Sequence, residues 1–326
     1  MLTGTTSARR VLPLERLHGV RTATPADDID WDTPVDRSRR FFCDTLTPLY
    51  YTKSYALLAP AHRLRYNQLT GILSNELILR LETQFVDRAL AAVTRDPDVN
   101  ADLLETVRQF RDDEVRHAES WRRLNRLSEP AWYRGDRSRL VRVPPVVDRL
   151  ANIMVRYPVA CPAIFWMQLS QEEHSIEISR RCLRLPPGAL EPRYAAVYGA
   201  HLRDEVRHVQ VDCHLIERFH AAQSAAGRLA TAAVFRWLLA NCFLKPVRST
   251  IRVLEVLTSE FPELHPLLPR MIRELHSLAA DEAYQQMMYS RQTTPITFQL
   301  FDAFPEFHAM SRVLLAYTPP ASRRAS

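Results

Sequence analysis

The pentapeptide Asp-Glu-Val-Arg-His occurs twice, at residues 113–117 and again 91 residues later at 204–208. On an α-helix the Glu and His of each copy project from one side, because about 100° per residue brings position i+3 back to within roughly 60° of position i. Two such helices facing each other across a bundle core can hold a pair of metal ions, each Glu offering a bridging carboxylate and each His an imidazole. Glu114, His117, Glu205 and His208 are therefore candidate ligands of a carboxylate-bridged di-iron or di-manganese centre.

Such a centre needs one further Glu from each of two other helices. If the halves are pseudo-symmetric, these two should share the 91-residue offset, and Glu82 and Glu173 do: each lies 32 residues before its pentapeptide glutamate. Glu76 in place of Glu82, and Glu172 in place of Glu173, stay open, since spacing alone does not separate the members of an adjacent Glu pair. His201 breaks the symmetry. It sits four residues before Glu205 and seven before His208, on the same helical face, where the first half has Phe110. It is the seventh candidate ligand. His62, His214, His220, His265, His276 and His308 read as packed or surface histidines.

The set Glu82, Glu114-x-x-His117, Glu173 and His201-x-x-x-Glu205-x-x-His208 resembles the di-iron arylamine N-oxygenases, the p-aminobenzoate N-oxygenase family within the ferritin-like superfamily. The similarity spans residues 62–220. It implies four Glu and three His ligands on two iron ions, with manganese as the alternative metal. It further implies O₂ as co-substrate, activated through a peroxo species, and an external electron donor. The substrate would be a small aromatic amine, free or tethered to a carrier protein, taken to the hydroxylamine or nitro compound in natural-product biosynthesis. Asp113 and Asp204, just before the ligand glutamates, are the expected outer partners. A ligating His donates its other ring N–H to a carboxylate or carbonyl, and in related bundles an Asp here holds the His of the opposite half. That pairs Asp204 with His117 and Asp113 with His208; ion pairs with Arg116 and Arg207 are the plainer alternative.

The helices that must carry these residues are legible too. Seven glycines in 326 residues suit long helices joined by few loops, and no stretch alternates as a sheet would. The fold class is all-α: a ferritin-like di-metal bundle with additional C-terminal helices. Residues 1–30 read as a polar, disordered tail. Residues 31–326 form one domain, because ligands spanning 82–208 cannot be divided between two. The expected elements are a short amphipathic helix over 36–45, then long helices over 61–95 and 101–127. A shorter helix ending at 157, the Glu173 helix and one over 191–222 follow, with further helices from 227 including 267–291. Residues 293–317 read as irregular structure with a short helix packed over the bundle.

Five cysteines without a CxxC argue against a disulfide framework or a zinc ribbon. No secretory leader or span of ~20 apolar residues is visible, which suggests a cytoplasmic protein. Residues 229–244, the most apolar run, read as a buried bundle helix. The net charge of +6 comes from dispersed arginines, against a nucleic-acid partner and compatible with an anionic substrate or an acidic protein. A homodimer is compatible with the sequence. Phe110, Phe165, Trp166 and Met167 could line an aromatic pocket or simply pack the core, and Arg291 is one of many cations available to an anionic substrate. Another di-iron oxidation, hydroxylation or desaturation, and non-enzymatic iron storage are the competing functions. Trp121 stands where a radical-generating reductase subunit carries Tyr.

Overall fold

Proline stands in the first turn of the helices that begin at residues 60, 145, 192 and 295, where its ring fixes φ and its missing N–H would have no helical partner. The computed structural model describes residues 11–17, 29–135, 137–244 and 247–320. Among them are α1 (Pro60–Leu81), α2 (Asp87–Val93), α3 (Ala101–Ser128), α4 (Pro145–Arg156), α5 (Ala163–Leu183), α6 (Pro192–Leu215), α7 (Ala225–Leu238), α8 (Val247–Glu260), α9 (Leu268–Ser277), α10 (Glu282–Met288) and α11 (Pro295–Ala303). The fold is all-α. No strand occurs among the described residues, only an isolated bridge between Arg40 and Leu190.

Capping fixes the two helices that carry the repeated motif. Asn100 accepts the Leu103 N–H at 2.8 Å to start α3, and Glu191 accepts from Arg193 and Tyr194 at 2.8 and 3.0 Å to start α6. The α1 helix runs into α2 through a π turn, Glu82–Val86, so the chain bulges where it delivers Glu82. The α5 helix packs along α6, α3 against α6, and α1 against both α3 and α8. The apolar interior falls into two clusters, one around Phe110, Phe165, Trp166 and Phe219, the other around Tyr66, Trp121, Tyr194 and Tyr198. On α3 and on α6 the repeated motif lies between residues of the two clusters, so the polar belt is sandwiched by apolar packing.

Several expectations need correction. Residues 36–45 form no α-helix. The backbone N–H groups of Phe41 and Phe42 go instead to Asn67 Oδ1, at 3.0 and 3.1 Å, and the strap crosses α1. Gly71 permits this crossing, for a Cβ there would stand 2.9 Å from Phe41 Cβ. The expected 267–291 helix is interrupted at Leu278–Ala280, after which Asp281 caps α10 by accepting the Tyr284 N–H at 2.8 Å. The apolar run over 229–244 is buried on one side only: Phe235 and Leu238 face the core while Leu229 and Trp237 are exposed. No helix among the described residues is long and apolar enough to cross a membrane. Most of the expected 1–30 tail lies outside the described residues, though Leu17 is buried in the core.

Candidate metal centre

The cross-helix contacts set the register. His117 Nε2 lies 3.1 Å from Asp204 Oδ2, and His208 Nε2 lies 3.2 Å from Asp113 Oδ2. The α3 and α6 helices are therefore antiparallel, and each histidine is held at Nε2 so that Nδ1 turns inward. Asp113 also pairs with both Arg116 and Arg207, so the two readings of this residue coexist. Inside the belt, His208 Nδ1 is 3.4 Å from a carboxylate oxygen of Glu114 and of Glu205. His117 Nδ1 is 3.5 Å from Glu114, 3.6 Å from Glu205 and 3.9 Å from Glu82. His201 Nε2 completes the cluster, 3.0 Å from Glu205 and 3.2 Å from Glu82.

Two overlapping donor sets result, Glu114, His117, Glu205 and His208 on one side and Glu82, His117 and His201 on the other, each with its ligand atoms within 4.8 Å of one another. Every member is buried. Both oxygens of Glu114 and of Glu205, Oε2 of Glu82, Oε1 of Glu172 and Nδ1 of His117 and His208 have no hydrogen-bond partner among the described residues. Leaving so many buried polar atoms unsatisfied would cost several kcal/mol or more, and a cation would satisfy them together. Burial pushes Glu114 up to about 8, with the Glu82 charge adding to it, and burial likewise takes Glu205 to about 8. Burial and then Glu205 hold Glu172 well above the carboxylate range. Burial, then His117 and His201, hold His208 well below the usual imidazole value. For His117 burial opposes the charge, but hydrogen bonds to Asp204 and Glu114 outweigh it and raise it well above.

The carboxylate that α5 turns toward the cluster is not the expected one. Glu173 turns away from the cluster: its two oxygens accept the backbone N–H groups of Ile296 and Thr297, both at 2.7 Å, and thereby cap α11. Glu172 faces the cluster instead. The offset misled because the halves differ by one residue in a loop. From Glu82 to the end of α2 is 11 residues, as from Glu172 to the end of α5; from the first residue of α3 to Glu114 is 13, as from that of α6 to Glu205. The linker over 94–100 has seven residues and that over 184–191 has eight. Glu76 is also engaged elsewhere, accepting from Tyr133 Oη and from the backbone N–H groups of Arg139, Leu140 and Val141 between 2.6 and 2.9 Å. Glu172→Gln is therefore expected to lower metal content. Glu173→Gln should keep the metals but lose about 1–3 kcal/mol of stability through weakened capping of α11. Metal analysis and denaturation of both variants would decide, and the reverse outcome would restore Glu173 as ligand.

Two neighbours are not read from the sequence as partners of the cluster: Trp121 is noted there only as standing in place of a Tyr, and Asp212 is not noted. Trp121, one turn after His117, donates its Nε1–H to Glu82 Oε1 at 3.0 Å. Asp212, one turn after His208, accepts from Gln168 Nε2 at 2.7 Å, and burial and then Glu172 push its pKa well above the usual range.

A cavity of about 540 Å³ reaches the cluster at Glu82, Glu172 and His201. Its walls are mainly apolar, with Leu73, Leu81 and Met167 from the bundle and Tyr284, Met288 and Tyr289 from the C-terminal segment. His174 and His276 also line it, and His276 is exposed, in keeping with its reading as a packed or surface histidine. Of the expected aromatic lining only Met167 takes part. Phe110 stacks on His208 with ring centroids 3.7 Å apart, Phe165 packs on Phe219, Trp166 packs against Phe307 and Phe301, and Arg291 is paired with Asp302.

Comparison with known proteins agrees with this geometry. Residues 13–262 match the family model described as P-aminobenzoate N-oxygenase AurF, whereas no curated protein matches the chain. With three quarters of its length inside that match, the chain belongs to the AurF family of di-iron N-oxygenases and is an oxygenase with an all-α, ferritin-like bundle.

Proposed function

We propose that this enzyme N-oxygenates an aromatic amine with oxygen from O₂, at two iron ions held by Glu82, Glu114, His117, Glu172, His201, Glu205 and His208. The observation that carries the proposal is the set of unpartnered buried carboxylate and imidazole atoms at the inner end of an apolar cavity. Oxygen and nitrogen donors without thiolate suit iron, with manganese as the other candidate. A pair of irons there supplies the electrons that reduce O₂, which the side chains of this chain cannot.

The remaining chemistry belongs to the residues. Asp204 and Asp113 hold Nε2 of His117 and His208, leaving Nδ1 of each as the inward donor. Leu73, Leu81 and Met167 bind an aromatic ring and exclude water, and Glu82, Glu172 and His201 form the wall against which the amine rests. Asp212, one turn after His208, stands beside the cluster, and burial with the Glu172 charge holds its carboxyl well above the usual range. At the cavity's rim Arg142 and Arg248 are exposed and pair with no carboxylate among the described residues, so an anionic group on the substrate is steered there. A cavity of roughly 150 Å³ takes a benzene ring. The 540 Å³ here therefore leaves room for an arylamine larger than an aminobenzoate, including one on a carrier-protein arm.

Loading with Fe(II) without air should give two irons per chain. Addition of ¹⁸O₂ and an arylamine panel should then yield hydroxylamine or nitro products carrying ¹⁸O. Uptake and oxidation of thousands of irons with every amine untouched would assign the protein to iron storage instead.

A further inference from the structure

The contacts of residue 113 with 208 and of 117 with 204 place Val115 level with Val206 on the two antiparallel helices. Both valines are exposed, by 64% and 45%, so an apolar pair sits on the surface directly outside the two His–Asp contacts. Beside Val206 opens a groove of about 420 Å³ whose lining includes Arg16, Arg180, Arg203 and Arg207. Arg207 is committed to Asp113. Arg16, Arg180 and Arg203 pair with no carboxylate among the described residues. Among the described residues the groove's single lining acid is Glu173, whose carboxylate accepts from the amides of α11. On the exposed side of α3 are Asp112 and Glu119, the latter shared between Arg122 and Arg126.

We propose that this face docks an acidic one-electron carrier protein that reduces the metal centre. The inference rests on the di-iron reading above. An apolar pair flanked by unpaired guanidinium groups has the character of a small, transient electron-transfer interface, where charge sets the encounter rate and the buried area stays modest. The path inward is short in residues: Arg207 to Asp113, Asp113 to His208 Nε2 at 3.2 Å, and His208 Nδ1 to the shared carboxylates at 3.4 Å. Each docking event oxidises the carrier by one electron and reduces the centre by one. Two events restore the state that reacts with O₂.

The test uses iron-loaded enzyme and a plant-type [2Fe–2S] ferredoxin of strongly acidic surface as probe. Binding to the oxidised enzyme should weaken at least tenfold between 50 and 300 mM salt. It should weaken a further tenfold or more in Arg180→Glu/Arg203→Glu, and several-fold in Val206→Ser. Reduction of the centre by the reduced ferredoxin should slow in parallel, while reduction by a neutral photoreduced deazaflavin, iron content and helical circular dichroism stay as in the wild type. Ferredoxin binding that is absent, salt-independent or unchanged in the variants overturns the proposal. So does inorganic pyrophosphate binding that the double variant abolishes while ferredoxin binding persists, since the groove would then be a small-anion site. Peroxide-driven oxidation of an arylamine needs no carrier; its failure in the wild type would count against the N-oxygenase reading and leave docking to be judged by binding alone.

Discussion

Stripped of metal, the protein is expected to lose stability steadily as pH rises from about 6.5 to 8, and with two irons bound to lose little or none over that range. The folded state raises Glu114 and Glu205 from 4.5 to about 8 through burial, and burial also holds Glu172 and Asp212 well above their ordinary values. A carboxyl group raised in this way contributes stability in full below its unfolded value and loses it as pH climbs toward the folded one. His117, also raised, carries the same sign. His208 is depressed and acts oppositely, but only below its unfolded value of 6.5. Above that pH every one of these contributions falls together, by on the order of 1–2 kcal/mol per glutamate across the window. Metal ions bind the ionised carboxylates, so loading should both raise the melting temperature and flatten its pH dependence. Calorimetry of the apo and loaded forms at four pH values between 6.5 and 8 provides the measurement, and parallel curves would mean the buried cluster does not hold the metals.

His201→Ala should keep two irons and the fold yet reduce arylamine oxidation by ~100-fold or more, equal to about 2.7 kcal/mol of barrier. The six other side chains still provide a complete carboxylate and imidazole set. His201 stands apart because its Nε2 touches Glu82 and Glu205 and its ring also lines the cavity. Its loss therefore changes the metal surface that the amine meets, without emptying the site. Iron analysis, the optical spectrum after O₂ addition and product yield separate the effects. A variant with an unchanged spectrum and full amine turnover would leave His201 as a packing residue.

The chemistry was more legible in the sequence than the register. Motif residues three and four apart on one helix had to share a face, so Glu114, His117, His201, Glu205 and His208 could be brought together from spacing alone. The choice between Glu172 and Glu173 hinged on a linker one residue longer in the second half, and loop length carries no periodic signal. The strap over residues 36–45 has helix-compatible composition, but Asn67 claims its amides, a partner more than 20 residues away. The cavity was invisible for the same reason. Tyr284, Met288 and Tyr289 line the same cavity as Glu82 and His201 from far along the chain, and nothing local in the sequence marks this.

The family match stops at residue 262, while α11, which lies beyond it, is fastened to Glu173, the immediate chain neighbour of Glu172. The buried carboxylate and imidazole cluster and part of the cavity wall beside it thus come from different stretches of the chain. Tyr284, Met288 and Tyr289 line the cavity from beyond the match, while Glu82, Glu172 and His201 line it from within. The chain divides its labour by position: stretches inside the match bring the cluster together, and stretches after it supply one wall of the cavity and the two amides that hold the carboxylate next to Glu172.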